Sequence, residues 1–354
     1  MINRRKTRQI QVGSVGVGGD ALISVQSMTN TDTRDVEATV AQIHRLEQVG
    51  CEIIRVAVLD QDAAMAISRI REQITIPLIA DIHFDYRLAV ASMEHGAHAI
   101  RINPGNIGGA VKLAKVVDAA KHHQVAIRVG VNSGSVEKDI LAKYGHPAPA
   151  ALVESALRNV SLLEKLSFDQ IKISIKSSDA MTTVDAYRLL SSQCDYPLHL
   201  GVTEAGGLIA GTVKSSVALG LLLYDGIGDT FRISLTRDPV EEIRVGFELL
   251  RALHIRHRGP ELISCPTCGR CQINLFSLAE RVEQYIQHME TNLKIAVMGC
   301  VVNGPGEAKE ADLGLAGGNG MGILFKKGKL YKKVPEDQLF DVFVEELKKM
   351  EKSG

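Results

Sequence analysis

His98-Ala99-Ile100-Arg101-Ile102-Asn103 is a short apolar run with a cation in its middle, and Val125-Ala126-Ile127-Arg128-Val129-Gly130-Val131 repeats the design. Runs this short and this apolar read as strands buried on both faces, which is the signature of parallel pairing. Six further runs carry the same reading: Ala21–Ser27, Glu52–Val58, Pro77–Asp81, Gln170–Lys176, Pro197–Thr203 and Asp229–Leu235. Between them lie stretches with helical periodicity, among them Val36–Val49, Leu88–His95, Ala110–His122, Leu152–Leu166, Val184–Ser191, Thr212–Leu223 and Val240–Leu253. Eight such strand–helix repeats in about 250 residues are those of a (β/α)8 TIM barrel. The one long connection follows Val131, holds Gly134, Gly145, Pro147 and Pro149, and is expected to carry an extra helix.

A polar break at His254–Pro260 ends in Gly-Pro and suits a linker. It places a barrel over 1–258 and a small α/β domain over 259–354. The latter should hold a helix at Leu275–Met289, a strand at Lys294–Met298, short strands at Met321–Phe325 and Leu330–Val334, and an amphipathic helix at Glu336–Met350. The 41 basic residues are matched by 41 acidic ones, which removes the electrostatic argument for nucleic-acid binding. The longest apolar stretch, Val217–Tyr224, falls far short of the ~20 residues that span a bilayer, so no membrane association and a cytoplasmic location are expected. Gly16-x-Gly18-x-x-Ala21 matches a loose dinucleotide fingerprint, but a strand follows it where the pyrophosphate needs a helix N-terminus.

The barrel strands carry Arg55, Arg101, Arg128, Lys172, Lys176 and Arg232 inside apolar runs. A charge in such a place costs several kcal/mol unless it is paired. The candidate internal partners, Asp81, Glu204 and Asp229, are fewer than the cations. The surplus points to a bound anion, and convergent guanidinium groups suit a phosphate or diphosphate. Asp81-x-His83, Asn103, Asn132, Ser174, Ser177, Thr203-Glu204-Ala205-Gly206-Gly207 and Ser234 fall at the C-terminal strand ends, where barrel active sites are built. Glu204 could exchange a proton with a substrate oxygen or neutralise an arginine. A lone histidine at a strand end, such as His83, is more often structural. His122, His123, His254 and His257 read as surface residues.

Four of the six cysteines cluster late in the chain: Cys265-Pro266-Thr267-Cys268-Gly269-Arg270-Cys271, then Cys300. Thiolates this close on a turn can grip one centre, and the spacing admits either structural zinc or an iron–sulfur cluster. Gly299-Cys300-Val301-Val302-Asn303-Gly304-Pro305-Gly306-Glu307 follows an apolar strand and lets backbone approach a ligand closely. Glu307 could reach the same centre, leaving one iron on a hard, exchangeable ligand. Cys271 competes with it as fourth ligand.

These stretches, together with Val25-Gln26-Ser27-Met28-Thr29, Arg101-Ile102-Asn103-Pro104-Gly105-Asn106, Arg128-Val129-Gly130-Val131-Asn132, His199–Gly206 and Gly226-Ile227-Gly228-Asp229-Thr230, resemble the GcpE (IspG) family of bacterial 4-hydroxy-3-methylbut-2-enyl diphosphate synthases. The resemblance runs through nearly the whole chain. It implies two-electron reductive ring opening of 2-C-methyl-D-erythritol 2,4-cyclodiphosphate with loss of water, in isoprenoid biosynthesis. It implies a 4Fe-4S cluster on Cys265, Cys268, Cys300 and Glu307 in an iron–sulfur domain, with reduced flavodoxin or ferredoxin as donor. The family's anion site maps onto Arg55, Arg101, Arg128 and Lys176, with Asn103, Asn132, Arg232 and Ser234 around it. Asp81, His83 and Glu204 match further pocket positions, and Asn303 matches a substrate-facing residue from the second domain. A head-to-tail homodimer is implied as well. Cys271 departs from the family's ligand set.

Overall fold

The structure, a computed structural model, describes residues 2–300, 306, 308–318 and 320–351. The chain forms two compact units, the first ending at Ile255 and the second beginning at Arg256.

The first unit opens with an antiparallel hairpin, β1 (Ile10–Val12) and β2 (Val15–Val17). The Gly16-x-Gly18 stretch lies in and just after this hairpin, with no helix behind it. Eight parallel strands follow: β3 (Ser24–Met28), β4 (Ile53–Ala57), β5 (Leu78–Asp81), β6 (Ala99–Ile102), β7 (Ala126–Asn132), β8 (Ile171–Lys176), β9 (His199–Leu200) and β10 (Thr230–Phe231). They pair in the order β8-β7-β6-β5-β4-β3-β10-β9, and a parallel bridge from Ile173 to Leu198 joins the two ends. This is the (β/α)8 barrel expected, with each expected strand present.

The helices are α1 (Val36–Gln48), α2 (Gln61–Arg71), α3 (Tyr86–Glu94), α4 (Ala110–His123), α5 (Lys138–Tyr144), α6 (Pro149–Glu164), α7 (Ala180–Ser191), α8 (Leu208–Tyr224) and α9 (Pro239–Ala252). The extra helix expected after Val131 is α5. Asp35, Asp60, Asp85, Asp179 and Asp238 each cap a helix by accepting a hydrogen bond from a first-turn amide, which fixes where the chain turns out of the strand. Such a cap is worth about 1 kcal/mol.

Alternate strand residues face opposite ways. Ile54, Val56, Ile100, Ile102, Ile127 and Val129 pack beneath the helices. On the other face, Ile53, Ile79, Ala99 and Ala126 meet Ile10, Val12 and Val17 of the hairpin in a separate apolar cluster. The hairpin therefore plugs the floor of the barrel at the N-terminal ends of its strands.

The second unit is a five-stranded sheet in the order β11 (Glu261–Ser264), β12 (Lys294–Met298), β13 (Leu313–Gly318), β14 (Met321–Lys326), β15 (Lys329–Pro335). The first two pairings are parallel and the last two antiparallel. Helices α10 (Leu275–Ile286) and α11 (Leu339–Glu351) cover one face through Val282, Phe343 and Leu347, against Val297 and Leu315. The last helix begins three residues later than expected, because Glu336–Gln338 form a 3-10 turn. Among the described residues, no helix is long and apolar enough to cross a membrane.

Candidate functional site

The barrel interior is layered. Above the apolar floor, Asp81 pairs in register with Arg101, Arg101 with Arg128, and Arg128 with Lys172, so one ring of the wall is almost entirely ionisable. Asp81 is 4% exposed; its carboxylate faces Arg101 Nη1 at 3.4 Å, Arg55 Nε at 3.7 Å and His83 Nε2 at 3.8 Å. Arg55 also donates to Met28 Sδ, 3.1 Å away. Arg232 grips Glu242 with both arms of its fork, Nε at 3.0 Å and Nη2 at 2.9 Å. Glu242 further accepts from Ser27 Oγ at 2.8 Å and from the Leu235 amide at 3.2 Å. Further along β8, Lys176 Nζ lies 3.5 Å from His199 Nε2. Tyr187 donates to the His199 carbonyl and accepts from the Ile175 amide.

Two glycines make room for these heads. A Cβ at Gly130 would run into the Arg101 guanidinium, and one at Gly201 would lie 2.5 Å from Lys176 Nζ and 3.0 Å from the Arg232 carbonyl.

Burial and mutual repulsion weaken the hold of these cations on their protons. Arg55 is lowered to about 10 by burial, with Arg232 and Arg101 adding to the shift and Asp81 opposing it. Burial first, then neighbouring cations, drives Arg128, Lys176 and His199 well below their ordinary values, and Lys172 falls to about 7 for the same reasons. Burial would raise Asp81, but Arg55, Arg101, Arg128 and His83 together hold it below the usual carboxylate value. The arrangement can neutralise and orient a multiply charged anion, with a net cationic wall and little water to compete.

Of the sequence-predicted residues, Arg55, Asp81, His83, Arg101, Arg128, Lys176 and Arg232 come together here. Asn103 is 5% exposed and its Oδ1 accepts from the Gly105 amide, closing the turn after β6. Asn132 opens the turn after β7, its amide donating to Ser135 Oγ at 3.0 Å, while Ser234 stands two residues beyond Arg232, half-buried. Glu204 is exposed, has no hydrogen-bond or ion-pair partner among the described residues, and holds a left-handed backbone, φ 53°.

The expected counter-charges need correction in two places. Asp229 faces Arg4 Nη2 at 3.1 Å, Thr7 and the Leu198 amide at the floor, so it neutralises the N-terminal arm and not the barrel cations. Glu204 pairs with none of them. The partner that the sequence reading lacked is Glu242, which α9 inserts against Arg232; the signal was a glutamate in the first turn of an amphipathic helix, on its buried side. His122, His123, His254 and His257 are exposed, as expected, but the completely buried His199 was not singled out.

In the second unit, Cys265 follows β11 and its amide donates to the Val297 carbonyl at 3.2 Å. Cys300 stands two residues beyond β12, the parallel neighbour of β11, so both thiols leave the same sheet edge. The Cys271 amide donates to the Cys268 carbonyl, folding the cysteine stretch into a turn. Cys271 Sγ donates to the Ile273 carbonyl at 3.3 Å, and a Cβ on Gly299 would lie 2.6 Å from it. Cys271 is thus packed behind the strand end. Among the described residues no three metal-ligating side chains gather around one point; Glu307 and Asn303 lie outside the described residues. Soft thiols brought to one edge by adjacent strands fit an iron–sulfur group by donor chemistry.

The GcpE TIM-barrel domain model matches residues 7–247, and the model of the GcpE protein C-terminal domain matches 261–349. The chain belongs to the GcpE family. GcpE relatives named 4-hydroxy-3-methylbut-2-en-1-yl diphosphate synthase (flavodoxin) align over almost their full length. That of Desulfotalea psychrophila is 72% identical, covering 99% of this chain and 97% of its own. That of Lawsonia intracellularis is 61% identical, with 98% and 97% covered, and that of Geobacter sulfurreducens 58%, with 98% of each. Among solved structures, a dihydropteroate synthase from Stenotrophomonas maltophilia covers 70% of this GcpE chain and 98% of its own with a TM-score of 0.52 and 14% identity, a likeness of barrel fold alone.

Proposed function

We propose that this chain converts 2-C-methyl-D-erythritol 2,4-cyclodiphosphate to 4-hydroxy-3-methylbut-2-enyl diphosphate. Two electrons enter, a ring carbon–oxygen bond breaks with its oxygen leaving on the diphosphate, and a hydroxyl departs as water after gaining a proton. The activity agrees with the names of relatives matched end to end. The observation that carries the substrate class is the barrel wall, where, among the described residues, Arg55, Arg101, Arg128, Lys176 and Arg232 share only Asp81 and Glu242 as ion-pair partners.

In this reading Arg55, Arg128 and Lys176 bind the diphosphate oxygens and stabilise the charge that develops as the ring opens. Asp81 and Glu242 fix the forks of Arg101 and Arg232 so that they are set before substrate arrives. Asn103, Asn132, His83 and Ser234 supply further hydrogen bonds at the strand ends. Glu204 gives the proton to the departing hydroxyl; it is exposed beyond the end of β9, in a left-handed backbone, with no hydrogen-bond or ion-pair partner among the described residues.

Cys265, Cys268 and Cys300 with Glu307 would hold a 4Fe-4S cluster, while Cys271, turned to the Ile273 carbonyl, would stay outside the ligand set. When bound, such a group supplies electrons singly, with reduced flavodoxin as the donor. Residues 1–258 thus form the substrate domain and 259–354 the cluster domain. A homodimer is supported by α8, whose outer face exposes Ile209 (81%), Val213 (57%), Val217 (45%) and Tyr224 (70%) in one stripe. An exposed apolar stripe of this kind marks a surface suited to association with a second copy of the chain.

The test is anaerobic purification with iron, sulfide and zinc counted per chain, followed by assay of the cyclodiphosphate with reduced flavodoxin. About four irons and four sulfides, absorbance bleached by dithionite, and turnover support the proposal. One zinc with a featureless visible spectrum and no turnover overturns it.

A further inference from the structure

Lys172 is the one cation of the barrel wall that the proposed mechanism does not use. It is completely buried, and among the described residues no protein atom lies within hydrogen-bond distance of its Nζ. Beside it in register stands Arg128, and Lys176 follows four residues along, on the same face of the same strand. Arg55 repels it across the barrel, and His199 on the adjoining β9 feels its charge in turn. The carboxylates within the wall are already engaged, Asp81 by Arg55 and Arg101, Glu242 by Arg232. An ammonium here therefore faces Arg128 and Arg55 and, among the described residues, has no counter-charge of its own. Tyr187 turns its hydroxyl to the backbone of β8 and β9 and supplies none.

We propose that Lys172 is a proton-linked positioning residue: neutral while the barrel is empty, it accepts one proton from solvent when a multiply charged phosphate anion settles among Arg55, Arg128 and Lys176. The anion supplies the missing counter-charge, and the new ammonium pulls back on it from below. This deepens the substrate-site reading and rests on it. The sign follows from burial: an amine that loses its proton near pH 7 when the site is empty, and keeps it well above that when an anion is bound, takes up protons between those values. At pH 7.5 Lys172 takes up a fraction of a proton, and the uptake falls away toward pH 5.5, where the residue is already charged.

Isothermal titration of the purified full chain with the cyclodiphosphate, or with inorganic diphosphate, in buffers of different ionisation enthalpy counts the protons taken up. A merely structural lysine would not move that count. Lys172→Met should lower it measurably at pH 7.5 and far less at pH 5.5. Lys176 and His199 contribute to the total, so the difference between variant and wild type is the readout. An unchanged count in a folded variant overturns the proposal while leaving the anion site intact. If neither anion binds the wild type, the substrate-site reading fails and this inference with it. If Lys172→Met does not fold, Lys172→Gln carries the same comparison: a count equal to that of the wild type at pH 7.5 overturns the proposal, and a lower count supports it.

Discussion

Glu242→Gln is the substitution that probes the barrel's charge arrangement most directly. Glu242 is 1% exposed and its two oxygens accept four donors, Arg232 Nε and Ser27 Oγ on one, Arg232 Nη2 and the Leu235 amide on the other. A glutamine keeps one acceptor oxygen but presents an NH2 to two donors. Ser27 can rotate its hydroxyl to accept; the guanidinium cannot. One charge-assisted hydrogen bond is lost, worth about 1.5–3 kcal/mol. The neutralising charge goes with it, and stranding one member of a buried pair costs about 3–5 kcal/mol in all. The loss should appear in urea unfolding of the full chain followed by far-ultraviolet circular dichroism. Diphosphate affinity should fall too, because Arg232 loses its anchor. A double variant, Arg232→Met with Glu242→Leu, should recover most of the stability, since it removes both charges. A loss below about 1 kcal/mol in the glutamine variant would refute the claim that Glu242 holds Arg232.

Other outcomes follow from the same geometry. Asp81 is held below its ordinary value, so its stabilising share is complete above about pH 4 and is lost as pH falls through the lowered value; Asp81→Asn should flatten the fall in melting temperature between pH 5 and pH 3. Parallel profiles would remove that role. Gly201→Ala places a methyl against Lys176 Nζ and the Arg232 carbonyl, and should weaken diphosphate binding about tenfold or more with little change in melting temperature. Glu204→Gln should leave cluster absorbance and folding intact while lowering turnover about a hundredfold or more, and undiminished turnover would end its proton role. Val213→Glu sets a charge in the middle of the α8 stripe and should halve the mass seen by sedimentation equilibrium; an unchanged mass would place the dimer contact elsewhere.

The barrel was legible because its strands are unusual. Ile-Arg-Ile at 100–102 and Ile-Arg-Val at 127–129 combine an apolar run with a cation, and no surface strand or helix wants that pattern. The anion site was legible for the same reason, as an excess of charge with nowhere to go. Glu242 was not, because it lies on a helix and reaches the wall across a strand end, a contact with no period in sequence. Helix α2 hides its buried face in Ala63, Ala64 and Ala66, which give little hydrophobic contrast. β13 reads Leu-Gly-Leu-Ala-Gly-Gly; its glycines look like a loop, yet Gly317 is there because a Cβ would strike Ile273. The hairpin β1–β2 was noticed only as a false fingerprint, since three-residue strands are below what alternation can reveal.

That hairpin has a consequence for how the protein is made. Ile10, Val12 and Val17 rest on Ile53, Ile79, Ala99 and Ala126 of strands β4 to β7, and the arm before them is tied to later residues still. Arg5 donates to the Cys194 and Tyr196 carbonyls, and Arg8 meets Asp195 at 2.8 Å. A segment that precedes the barrel strands is therefore among the last to find its place. At 5–20 residues per second, some 190 residues pass in about 10–40 s before Arg8 can reach Asp195. Until the strands that carry Ile53, Ile79, Ala99 and Ala126 have assembled, the apolar plug has no floor to close.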